Sequence, residues 1–215
     1  ILDQSSTFGT VTFAASSGTI TAVTINDSNA LDLGALTTTG DLTVTAGGAV
    51  TNSGTLVVPG TATISASGKA VTLDDSSNNF GTAAITGANV AIRDTNAIIL
   101  GASAVSGTYS VTAGGAITDS GALAITGVTT IAAGSGNNIT LDHTSNNFQG
   151  AVQITSGNNV TLVDAGAIDL GASTVSGTYA VTATAGGDIT DSGVLAITGT
   201  SAFTVAGGRN ITLDQ

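Results

Sequence analysis

One phrase recurs at a nearly fixed interval and limits what this chain can fold into. Ile139-Thr140-Leu141-Asp142-His143-Thr144-Ser145-Asn146-Asn147-Phe148 repeats Val71-Thr72-Leu73-Asp74-Asp75-Ser76-Ser77-Asn78-Asn79-Phe80. A looser version, Leu2-Asp3-Gln4-Ser5-Ser6-Thr7-Phe8, stands at the start, and Ile211-Thr212-Leu213-Asp214-Gln215 begins a fourth. The Leu-Asp pairs fall at residues 2, 73, 141 and 213. This spacing divides residues 1–215 into one continuous body of three units, 2–72, 73–140 and 141–212, with 213–215 opening the next. A fixed period of this length marks an architecture in which each unit buries its apolar face against its neighbour.

Within each unit the apolar residues alternate with Thr, Ser or Asp, as in Ile139 and Leu141, Val160 and Leu162, and Ile168 and Leu170. Alternation of period two gives short strands with one dry and one wet face. Composition agrees: 30 Gly, one Pro, fourteen acidic residues that are all Asp, and only three Lys or Arg leave few good helix formers. Consecutive antiparallel hairpins do not return like residues to like places, whereas a coil does. The expected fold is therefore all-β, a right-handed parallel β-solenoid. Strand starts every seven to nine residues, three to a coil, give coils of about 23 residues and about nine coils. Leu73 and Leu141 are expected to point inward on the same face of one rod. Asn78, Asn79, Asn146 and Asn147 are expected at corners, where Asn tolerates left-handed backbone angles and forms amide ladders between coils. Pro59 reads as lying just past the end of a strand. A rise of the offset between the second and third units from 70 to 72 places a two-residue insertion at a turn near Ala183-Thr184.

A net charge of −11 excludes the clustered cations needed for nucleic acid or anionic lipid. No run of 18 apolar residues spans a membrane as a helix. Zero cysteine removes disulfides and thiolate metal sites. Parallel β-helices also carry polysaccharide-cleaving enzymes, and Asp74, Asp75 and His143 at equivalent corners, with Arg93-Asp94 a coil or two further on, are the candidates for a catalytic group. Asp142-His143 stands where Asp74-Asp75 does, and the chain has no Trp to bind a sugar ring. No catalytic, cofactor-binding or metal site is assigned, and no cofactor is expected. Tyr109 and Tyr179 occupy one equivalent place and read as packing residues. Thr10-Val11-Thr12, Thr19-Ile20-Thr21 and Thr43-Val44-Thr45 raise a third class, the flat threonine array of an ice-binding surface, which requires one motif on one face of successive coils.

The phrases Asn-Ile-Thr-Leu-Asp with Ser-Asn-Asn-Phe, Ala-Ile-Asp-Leu-Gly-Ala-Ser-Thr-Val-Ser-Gly and Ala-Gly-Gly-Asp-Ile-Thr-Asp-Ser-Gly resemble the repeat region of filamentous-haemagglutinin-like bacterial surface proteins. The resemblance covers the whole chain. It implies a structural shaft on the bacterial outer surface whose partners are neighbouring repeats of the same protein, with host glycans met through modules not present here. Because Ile1-Leu2-Asp3-Gln4 opens inside the phrase that Ile211–Gln215 closes, the ends are expected to stack, from one unit to the next or from copy to copy into a filament.

Overall fold

The computed structural model describes residues 2–215; Ile1, where the matching-ends reading begins, lies outside them. The described chain is a parallel β-solenoid with two broad faces. The front face stacks Leu2–Ser6, Val23–Asp27, Leu42–Ala46, the later part of Leu56–Ser65, Asn79–Gly87, Ile98–Leu100, Ile117–Asp119, Ile139–Leu141, Val160–Asp164, Tyr179–Ala183 and Ser201–Val205. The rear face runs from Thr10–Val11 through Leu31–Leu33, Val50–Asn52, Val71–Leu73, Val90–Asp94, Tyr109–Ala113, Thr129–Ala132, Val152–Ser156, Ile168–Leu170 and Ile189–Asp191 to Ile211–Thr212. Every pairing within these stacks is parallel, as when Val23 opposes Leu42 and Leu42 opposes Ala62.

Alternation builds the core as the sequence implied. In Val23–Asp27 the odd positions are buried and Thr24 and Asn26 face out, and the same pattern holds in Leu42–Ala46 and Val160–Asp164. Ile64, Leu73, Leu100, Leu141 and Leu162 are at most 1% exposed and belong to one apolar column shared by all three units. Each such side chain contributes about 1.5–3 kcal/mol.

The coil is shorter than expected. Successive partners lie 17 residues apart at Ala83 and Leu100 and 23 apart at Thr129 and Val152, with most steps between 19 and 22. The chain therefore makes about ten turns, not nine. The estimate of 23 residues assumed three full strands per coil. In fact one edge of each coil turns tightly, as Ser28-Asn29-Ala30 does, and only the other carries a short third strand.

Leu2 and Leu141 lie on the front face and Leu73 on the rear, which corrects the expectation that Leu73 and Leu141 share a face; both do point inward. Seven steps along the front stack lead from the strand of Leu2 to that of Leu141, so two repeats make seven coils and one repeat makes three and a half. Each unit is thus rotated by half a turn from the last.

The third, short face follows the same rule. In the first unit it lies on the edge leading from rear to front, where Leu36–Thr37 pairs with Leu56-Val57 and Val58 with Phe80. In the second unit it lies on the opposite edge, as Ser103–Val105, Leu123–Ile125 and Asn147–Phe148. In the third it returns, as Ser173–Val175 on Leu195–Ile197.

Pro59 does not follow a strand but sits inside one, Leu56–Ser65, at the bend from the short face to the front face. The ladder slips in register there, between Phe80 and Thr82, so the missing N–H falls where pairing is already broken. The surplus residues of the third unit fall in the turn between Tyr179–Ala183 and Ile189–Asp191, around Gly186 at φ 88°.

Candidate functional site at the repeat junctions

The phrase that organises the sequence marks the place where the short face changes edges. Asn78 and Asn146 are fully buried there. Asn78 Oδ1 accepts the Leu56 N–H at 2.8 Å and the Asn52 amide at 3.0 Å, and its own amide donates to the Leu73 carbonyl at 3.2 Å. Asn146 Oδ1 accepts the Leu123 N–H at 2.9 Å, while its amide donates to Asp119 at 2.6 Å. Each amide satisfies backbone groups that the turn would otherwise bury unpaired. At these corners the expected ladder of amides is one rung, Asn52 to Asn78, because Asp119 takes the place of Asn52 in the second unit; another inter-coil amide contact, Asn159 donating to Asn138 Oδ1 at 3.2 Å, lies elsewhere. Left-handed angles are not adopted by these residues: among the described residues every positive φ is a glycine.

The next coil locks the junction with an aspartate. Asp94 Oδ2 accepts the Phe80 N–H at 2.6 Å and Oδ1 accepts the N–H of Asn96 at 2.8 Å. Asp164 does the same for Phe148 at 2.7 Å and Gly166 at 2.5 Å, and Asp27 for Phe8 and Asn29. One oxygen forms the tight turn and the other reaches down to the phenylalanine that ends the short face. Burial pushes the carboxyls of Asp94 and Asp164 above their ordinary range, against the opposing effect of the two N–H donors.

Asp75 and His143, equivalent in sequence, lie on opposite edges of the rod because of the half-turn. Asp75 Oδ1 accepts the Ser77 N–H at 2.8 Å, and His143 Nδ1 accepts the Ser145 N–H at 3.2 Å, so both shape the turn that follows them. Asp74 and Asp142 are exposed. Arg93 is exposed beside a shallow cavity of about 260 Å³ lined by Ser76, Asp94, Thr95 and Thr112, but the Asp94 carboxylate is occupied by its two backbone donors. His143 thus lies apart from Asp74 and Asp75, whereas Arg93 and Asp94 lie on the adjoining coil, beside Ser76.

Tyr109 and Tyr179 lie in the core, fully buried, and neither hydroxyl has a partner at hydrogen-bonding distance. Burial pushes both phenols well up, an effect that neighbouring Ser103 and Ser173 reduce. The first unit holds Leu36 and Leu42 where the others hold Ser103 with Tyr109 and Ser173 with Tyr179. A small polar and a large aromatic residue replace two leucines of middle size. Sequence reading missed this exchange, although it is visible once the units are aligned.

Nor do the three Thr-x-Thr phrases stack on one another. Thr10 is on the rear face, Thr43 and Thr45 are on the front, and Thr19 to Thr21 lie in a loop with one isolated bridge, Ile20 to Thr38.

The sequence matches the family described as Repeats of unknown function (DUF5649) in three consecutive segments, 21–86, 87–155 and 157–215. These segments keep the period of the Leu-Asp phrase in a shifted frame. No curated protein and no solved structure matches the chain. With three end-to-end matches over most of its length and a solenoid built from those same repeats, the chain belongs to the family of Repeats of unknown function (DUF5649).

Proposed function

We propose that the chain is a shaft segment of a large extracellular bacterial surface protein of the filamentous-haemagglutinin-like kind, with a mechanical and not a catalytic role. The observation that carries this reading is the unbroken core and backbone ladder through all three repeats, which leaves no hinge between them. Load along the axis is shared by parallel ladders at every coil, while the Thr-, Ser- and Asp-bearing surface stays hydrated.

Such segments stack end to end. Ile139 and Leu141 are fully covered by the next coil, and the same packing serves wherever one unit meets another.

Antibody labelling of intact cells of the source bacterium tests the location: labelling only after permeabilisation overturns it. Sedimentation and negative-stain microscopy of the purified chain test the stacking. Rods lengthening in steps of about 50 Å are expected, the height of some ten coils at ~4.8 Å each. A strictly monomeric species at high concentration contradicts end stacking. Incubation with acidic and neutral polysaccharides, with and without calcium, is expected to give no cleavage; turnover lost in Asp75→Ala or Arg93→Ala replaces the shaft with an enzyme.

A further inference from the structure

The two broad faces differ in charge. On the rear face Asp32, Arg93 and Asp169 lie at outward positions of the strands. On the front face, from Val23–Asp27 to Ser201–Val205, no outward strand position carries a charged side chain. Asp27 and Asp164 of those strands point inward and are buried, and Asp119 turns in to the Asp142 and Asn146 nitrogens. What faces out is short and methyl-bearing, such as Thr43, Thr63, Thr118, Thr140 and Thr161, together with Ile99 at 40% exposure. Ile99 stands where the first and third units have Asp32 and Asp169. The acidic charge gathers instead at the margins, where Asp41 precedes one front strand and Asp142 follows another, both exposed.

An uncharged sheet face on a chain of net charge −11 is a surface that tolerates an identical neighbour. We propose that the front face pairs with the front face of a second copy, sheet on sheet about a two-fold axis. The size fits. Ten strands spaced at ~4.8 Å, each contributing three to five residues, give a strip about 48 Å tall and roughly 10–17 Å wide. That is roughly 650 Å² per partner and roughly 1,300 Å² for the pair, within the range of stable interfaces. Short side chains on both sides let two such sheets approach to the usual separation of about 10 Å. The acidic margins of the two copies meet around the rim, so salt strengthens the pair by screening them. This lateral contact is independent of end stacking, which leaves the front face open.

Sedimentation equilibrium at low and at physiological salt tests the pairing. With end stacking blocked by Ile211→Glu and Leu213→Glu, a closed dimer whose dissociation constant falls at least tenfold with added salt is expected. Thr140→Glu and Thr43→Glu on the front face are expected to weaken it at least tenfold, whereas Thr130→Glu on the rear face leaves it unchanged. An equimolar mixture of Thr140→Glu and Thr140→Lys proteins is expected to pair again, which separates repulsion from misfolding. A monomer at both salt concentrations, an equal effect of the rear-face change, or an open series of sizes sensitive only to the terminal coils overturns the proposal.

Discussion

At the scale of single residues, buried polar groups hold the coil together at its corners, and their hydrogen bonds fix what a substitution does. Asp94→Asn keeps the shape but turns an NH₂ toward one of the two N–H groups that the carboxylate accepts, so a loss of about 2 kcal/mol is expected in urea denaturation. The pH dependence has a definite sign. Asp94 and Asp164 titrate above the ordinary value of 3.8 in the fold, so their ionised forms weigh against folding. Their contribution is fully present below that value and is lost as pH rises through the raised one. Asp32 acts oppositely, since the Ser53 hydroxyl above all, with those of Thr10 and Thr51, holds it low; it is only half-buried, so solvent keeps its effect small. Stability is therefore expected to rise as pH falls through the raised value toward 3.8, and this slope is expected to flatten in Asp94→Asn/Asp164→Asn. The core exchange gives a second test at this scale. Ser103→Leu and Tyr109→Leu are each expected to cost about 1 kcal/mol or more, the first by overfilling and the second by leaving a cavity. The double change, which copies Leu36 and Leu42, is expected to cost less than their sum, a coupling of about 1 kcal/mol that a double-mutant cycle measures.

At the scale of elements, the tight edge depends on close approach of one turn to the next. A Cβ added at Gly115 meets the backbone nitrogen of Ala97 at 2.6 Å and the carbonyl carbon of Asn96 at 2.8 Å, and neither can move without breaking the ladder. Gly48 and Gly187 stand at the equivalent places over Ala30 and Ala167. Gly115→Ala is expected to lower stability by about 2–4 kcal/mol, whereas Gly136→Ala, with open space around it, is expected to leave the thermal midpoint within a degree or two. The strands were legible from alternation, because Ile139, Leu141, Val160 and Leu162 could be dry only on one side. The number of strands in a coil was not. Asp27-Ser28-Asn29 reads as a turn from its short polar side chains, but segments as brief as Leu36–Thr37 and Asn147–Phe148 become strands only through pairing with the neighbouring coil. The aspartate lock was hidden for the same reason, since Asp94 reaches Phe80 across coils and no local pattern records that contact.

At the scale of the whole molecule, the period was legible and the rotation was not. Leu73 and Leu141 announce that a unit recurs after 68 residues, but a recurrence in sequence says nothing of how many turns lie between. Twenty residues per coil, and not 23, turns a whole-number repeat into one of three and a half coils. A chain lacking residues 71–138 tests this: it is expected to fold as a shorter rod, with the strand Ile139–Leu141 taking the rear-face place of Val71–Leu73 against Val50–Asn52. Disulfide trapping between cysteines placed at Thr51 and Thr140 in that shortened chain checks the new neighbours, and they are expected to cross-link only there. The half-turn also makes the rod sensitive to odd and even. Anything borne once per repeat emerges alternately to left and right, and returns to the same side only every seventh coil, roughly 34 Å at the usual strand spacing. Gain or loss of a single repeat by recombination therefore swings everything beyond it to the opposite side, and a change of two repeats restores its heading.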